Sequence, residues 1–173
     1  MESVHELTRQ VLLCRPREEA LVVIDSALNQ RKLTGSGLAR IVRALPPRFA
    51  SVLDAVDAAS ESGLETLCRV RLSNLGPGIR SQIPIAGVGR VDLLIGDRLS
   101  IEADGRPWHD GATAFHADRS RDLALSRLGY HVIRLGYDHV IEGWPRVEVT
   151  IRALISRGEH RWSTAHRRHG LDS

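Results

Sequence analysis

Residues 90–110 read R-V-D-L-L-I-G-D-R-L-S-I-E-A-D-G-R-P-W-H-D. The stretch predicts two short strands, 88–95 and 98–104, joined by a two-residue hairpin turn at Gly96-Asp97. Four groups able to hold a metal ion or a proton fall within it: Asp92, Glu102, Asp104 and His109. Alternate residues of a strand share a face, so Glu102 and Asp104 project the same way, with Ile101 and Ala103 on the other side. The two carboxylates then stand roughly 7 Å apart along the strand. Like charges so placed repel unless a cation joins them. A purely solvent-facing role for both would leave Ile101 and Ala103 to supply the whole buried face. Asp92 has a plainer reading too, as a strand-end residue paired with Arg90 or Arg98.

Working outward, residue 80 onward shows a period of two, and 80–86 reads as a further strand. After the loop G-R-P-W-H-D-G, a long helix is expected over 112–128, closed by Gly129 in left-handed conformation. Tyr130 to Leu135 is β-branched and apolar enough for a buried strand, and a last helix is expected over 145–156. Upstream, 17–30 places Leu21, Ile24, Ala27 and Leu28 at helical spacing. A second helix begins near Ser36, with Leu38, Ile41, Val42 and Leu45 as its apolar face, and stops at Pro46-Pro47, and a third spans about 51–59. Ser62-Gly63-Leu64-Glu65 matches the capping-box pattern at the start of a helix over 62–74. The expected organisation is a helical region over 1–60, an α/β domain with a mixed sheet flanked by helices over 61–157, and a basic tail over 158–173.

The chain has 173 residues, 42% of them hydrophobic, which suffices for one good core. No apolar run approaches the roughly 20 residues of a membrane span, and the opening M-E-S-V-H-E-L-T lacks the blocks of a signal peptide. A cytoplasmic protein with no membrane partner is expected, with Cys14 and Cys68 as reduced, half-buried thiols. The net charge of +3 sits in the tail, because residues 146–173 carry 6 basic and 3 acidic groups. Lys32 is the only lysine.

Phosphodiester hydrolysis needs a hard cation to lower the pKa of a bound water and to neutralise phosphate charge. Mg²⁺ takes oxygen ligands and keeps several waters, so two or three carboxylates on neighbouring strands suffice. Asp92, Glu102 and Asp104 meet that need, with His109 placed to move a proton. Glu65 has a complete structural role in the capping box, worth about 1 kcal/mol. Trp108 could anchor the loop or stack on a base. Asp118 and Arg121 could form an ordinary i, i+3 ion pair. The tail, with Arg161, Trp162, Arg167 and Arg168, could touch nucleic acid or remain a solvated terminus.

R-V-D-L-L-I, then I-E-A-D-G-R-P-W-H, then D-R-S-R-D-L-A-L-S-R-L-G-Y-H-V-I-R-L resembles the DUF559 family. That family is related to the very-short-patch repair endonucleases within the PD-(D/E)XK, or restriction-endonuclease-like, superfamily. The resemblance covers about residues 61–155. It implies a Mg²⁺- or Mn²⁺-dependent DNA endonuclease in which Asp92 and Glu102 are metal ligands and Glu65 is a helix-borne carboxylate oriented to the same metal. His109 matches the repair enzymes' histidine, and Asp104 stands where the superfamily has a lysine. Arg90, Arg106, Trp108, Arg119 and Arg121, with Arg161, Arg167 and Arg168 of the tail, are the expected nucleic-acid contacts. Cutting both strands implies a possible homodimer. The first 60 residues resemble the segment preceding such domains in AbiEi-like proteins, which are linked to toxin–antitoxin regulation. A non-catalytic DNA-binding regulator on a degenerate nuclease fold is therefore the alternative expectation, and a purely structural interaction domain a third.

Overall fold

The computed structural model describes residues 3–105, 112–168 and 171, and of residues 112–118 the backbone alone. The chain divides into two compact units, Met1–Val70 and Arg71–Ser173.

The first unit is helical: α1 (Val4–Cys14), α2 (Arg17–Asn29), α3 (Gly35–Arg43), the single turn α4 (Val52–Ala55) and most of α5 (Gly63–Leu72). Its core gathers Leu12, Leu21, Ile24, Leu38, Ile41 and Val42. These include the apolar positions expected from the 3.6-residue period of α2 and α3. α1 was not expected, yet it carries a start signal of the same kind as the one at Ser62: Ser3 caps it by accepting from the Glu6 N–H at 3.2 Å. The expected 51–59 helix shrinks to one turn. Its next backbone donor, the Asp57 N–H, is diverted at 2.8 Å to Oδ1 of Asp25, and Val56 turns to extended backbone.

The second unit is α/β. Four strands, β1 (Ile79–Ile85), β2 (Gly89–Ile95), β3 (Leu99–Asp104) and β4 (His131–Gly136), form one sheet in the order β1-β2-β3-β4. The first three are antiparallel and β4 joins β3 in parallel, so the sheet is mixed, as expected. Helices flank it: α6 (Ala112–Arg127), α7 (Tyr137–Ile141), α8 (Trp144–Ser156) and the short α9 (Thr164–Arg168). Leu125 of α6 packs with Ile85, Val91 and Leu94 of the sheet. β3 is an interior strand whose residues Leu99 to Ala103 are buried on both faces. That removes the solvent-facing reading of Glu102. Cys68 is buried and Cys14 exposed, and both are free thiols, so neither is half-buried.

The turn between β2 and β3 has three residues rather than two, because Ile95 pairs with Leu99. Gly96 adopts φ +63, and a Cβ there would come within 2.4 Å of the His160 carbonyl oxygen, so the position admits only glycine. That carbonyl accepts from the Asp97 N–H at 3.0 Å and the Arg98 N–H at 3.2 Å. Arg98 extends the fastening, with Nε on the Gly129 carbonyl at 2.7 Å and Nη1 on the Glu159 carboxylate at 2.7 Å. Trp162 stacks edge-on against Tyr130. The tail is thus held against the sheet from Glu159 through Trp162. This corrects the reading of the whole tail as a solvated terminus.

Candidate functional site

The site grows from a gap in a ladder. β2 and β3 pair at Leu93↔Ile101, Leu94↔Ser100 and Ile95↔Leu99, and the register stops before Asp92 would meet Glu102. The β1–β2 ladder omits its 82–92 rung, and Gln82 adopts φ +53 there. Freed from regular pairing, the Asp92 carboxylate substitutes for a carbonyl: its Oδ2 accepts from the Ala103 N–H at 2.8 Å. Its Oδ1 accepts from the Gln82 amide at 3.5 Å. Asp92 is thereby fixed beside Glu102 instead of pairing with Arg98, whose partner is Glu159.

Glu102 is 3% exposed. On the neighbouring strand Arg134 occupies the paired position, Glu102↔Arg134, and so shares its face. α6 supplies the opposing charges. Arg121 reaches Glu102 with Nη1 at 3.0 Å from Oε2 and Nη2 at 3.5 Å from Oε1, and it also donates to the Arg90 carbonyl. The next residue, Asp122, takes the Arg134 guanidinium by a fork, with Nη2 at 2.6 Å and Nε at 3.0 Å from Oδ1. Ser100, wholly buried, donates to Glu102 Oε1 at 3.3 Å. Burial, and after it the Asp92 carboxylate, push the Glu102 carboxyl above its ordinary value, while Arg121, Arg134 and Ser100 pull it back in part.

The structure therefore brings Asp92, Glu102 and Arg121 together with Gln82, Ser100, Asp122 and Arg134. Gln82, Ser100 and Asp122 were missed in the sequence. Ser100 was legible as the i−2 neighbour of Glu102. A glutamine in left-handed backbone at Gln82 has no sequence signal. Asp104 lies two residues along β3 on the same face, opposite Gly136, and is half-buried. Glu65 belongs to the first unit. Its N–H donates to Ser62 Oγ at 3.1 Å, and its Oε2 accepts from the Glu61 N–H at 2.9 Å, one residue earlier than a standard capping box. Arg106, Trp108 and His109 lie outside the described residues. Arg90, Arg119, Arg161, Arg167 and Arg168 are exposed. Among the described residues no group of three or more His, Cys, Asp and Glu stands close enough to hold a metal ion. Among the described residues no helix is long and apolar enough to cross a membrane.

The second unit is thus an α/β domain on a mixed sheet, with the half-buried Asp92 beside the buried Glu102 where a ladder is interrupted. The chain is similar to two uncharacterized proteins of Mycobacterium tuberculosis, from strains CDC 1551 / Oshkosh and ATCC 25618 / H37Rv, at 32% identity in each case. The similarity covers 88% of this chain and 59% of each relative, so the chain spans under two thirds of their length. No family profile matches the chain, and no solved structure matches it.

Proposed function

We propose that the second unit is a divalent-cation-dependent nuclease acting on DNA, with Asp92 and Glu102 as the cation's protein ligands. The observation that carries this reading is the interrupted ladder. A buried carboxylate, Glu102, stands beside the half-buried carboxylate of Asp92, an arrangement that costs stability unless positive charge joins them. The fit to a hard cation rests on the donor set and on a stand-in. Both Glu102 oxygens already face one cationic group, the Arg121 guanidinium. Two carboxylates suit Mg²⁺ or Mn²⁺, which would retain water in the remaining positions. Such a cation, when bound, supplies an acidified water and charge neutralisation at the phosphate.

The chain's own residues have definable parts in this reading. Gln82 and the Ala103 N–H orient Asp92. Ser100 orients Glu102, and Asp122 keeps Arg134 from closing on it. Asp104, on the same face of β3 as Glu102, would hold water of a bound cation. Proton transfer falls to His109 on the strength of the resemblance alone. Cutting a duplex through takes two such sites, which two copies of the chain would supply.

Plasmid cleavage tests the reading: DNA is cut with Mg²⁺ and not with EDTA, and Asp92→Ala and Glu102→Gln each abolish cutting. A wild type that leaves every DNA form intact while binding Mg²⁺ refutes it. A second reading, a DNA-binding regulator without catalysis, draws on the same Arg121–Glu102 pair, taken as a permanent neutralisation of the site. It expects salt-dependent DNA binding with no cleavage.

A further inference from the structure

Glu102 is met by two arginines whose situations differ. Arg134 is committed elsewhere, its guanidinium forked onto Asp122. Arg121 faces both oxygens of Glu102 and rests on the Arg90 carbonyl. The exposures are unequal: the Arg121 side chain is 26% exposed and that of Glu102 4%. The guanidinium therefore approaches from the solvent side and can withdraw into water without opening the core. The carboxylate cannot.

We propose that Arg121 is a place-holding cation: it neutralises Glu102 while no metal is bound and is displaced from it when a divalent cation takes the carboxylate. The inference rests on the cation-site reading given above and adds the residue that sets its threshold. The contact is an ion pair between a buried anion on an interior strand and a partly exposed cation on a neighbouring helix. Binding a metal to Glu102 requires breaking that pair, so the pair's strength is subtracted from metal affinity. A purely structural ion pair would instead be left intact, with the metal absent or held elsewhere.

Isothermal calorimetry with Mn²⁺ and Mg²⁺ on the full chain decides it. Arg121→Gln, which keeps an N–H donor but removes the charge, should bind the cation about tenfold more tightly than wild type, the equivalent of one partly buried ion pair. Arg121→Lys should stay near wild type, and Glu102→Gln should abolish binding in every background. Wild type and Arg121→Gln binding Mn²⁺ equally overturns the inference and leaves the cation site standing. Tighter binding by Arg121→Gln with no DNA cleavage by any form upholds the inference and sinks the nuclease reading. No binding by either form overturns both. Should Arg121→Gln fail to fold, the wild type answers alone. The Arg121 Nε–H resonance, identified by its loss in Arg121→Lys, should shift as Mn²⁺-free Mg²⁺ is added, and an unmoved resonance at saturating Mg²⁺ refutes displacement.

Discussion

Replacing Asp25 with alanine should nearly unfold the first unit. Asp25 is wholly buried in α2 and takes three hydrogen bonds: from the Asp57 N–H at 2.8 Å, from Thr66 Oγ1 at 3.0 Å and from Arg69 Nη2 at 2.7 Å. Arg69, its side chain 13% exposed, also donates to the Ala55 carbonyl at 2.7 Å, so this one cluster fastens α2, α5 and the chain after α4. Burial pushes the Asp25 carboxyl up, and the Asp57 N–H and Arg69 act against that. Removing the carboxylate leaves the largely buried Arg69 guanidinium with only the more distant Asp57 carboxylate, at 3.9 Å, which costs about 3–5 kcal/mol. A helical unit of this size has roughly 4–10 kcal/mol in total. Urea denaturation followed by circular dichroism should therefore show an early transition displaced to low denaturant in Asp25→Ala. Arg69→Met should be similarly harmful, and the double variant should be less harmful than the two losses added, with a coupling of about 1–3 kcal/mol. Additive losses, or a loss below about 1 kcal/mol in Asp25→Ala, would refute the argument that the cluster acts as one unit.

Four further outcomes follow from the second unit. Leu125→Ala, at a wholly buried position against Val91 and Leu94, should cost about 2–5 kcal/mol by urea denaturation. Arg98→Ala removes the donor to Gly129 and Glu159, and amide hydrogen exchange at Asp97 and in residues 158–162 should quicken while β2 and β3 keep their protection. His160 is buried with neither ring nitrogen in a hydrogen bond of standard geometry, and burial holds its imidazole below the ordinary histidine value. Its contribution to stability is then present above the ordinary value of about 6.5 and lost as pH falls through the depressed folded value. Denaturation midpoints should drop with acidification, and His160→Phe should flatten that slope. Gly96→Ala should cost more than an ordinary turn substitution, since it forces both a positive φ and a clash with the His160 carbonyl; a melting temperature equal to wild type would contradict the packing described.

How much of this was legible in the sequence depends on which interactions are local. Helical spacing marked Leu21, Ile24, Leu38 and Ile41, and strand alternation with β-branched content marked β2, β3 and β4, because each depends on neighbours a few residues away. The mixed sheet followed from their order. What escaped was set by distant partners. The turn after Ile95 is lengthened by a carbonyl at His160, and α4 is cut short by a carboxylate at Asp25, which no local pattern records. Asp25 itself was findable: it sits at i+4 from Leu21 and i−3 from Leu28, a charge inside an otherwise apolar stripe. In the site, Asp92 and Glu102 were legible as carboxylates on neighbouring strands, although the alternation of β3 set Glu102 beside Asp104. Their actual setting, a ladder gap with Gln82 in left-handed backbone and Arg121 across Glu102, depends on register and helix placement.

The fastening of the β2–β3 turn by the His160 carbonyl carries a consequence for synthesis on the ribosome. A hairpin normally closes as soon as its second strand has emerged, since its partners are adjacent. Here the turn's Asp97 and Arg98 N–H groups find their acceptor about sixty residues later, after β4 and α8 have been made. The growing chain must carry the carboxylate pair on a sheet whose turn is still unfastened, and a nascent chain halted before residue 160 should expose the β2–β3 turn to protease that the finished chain resists.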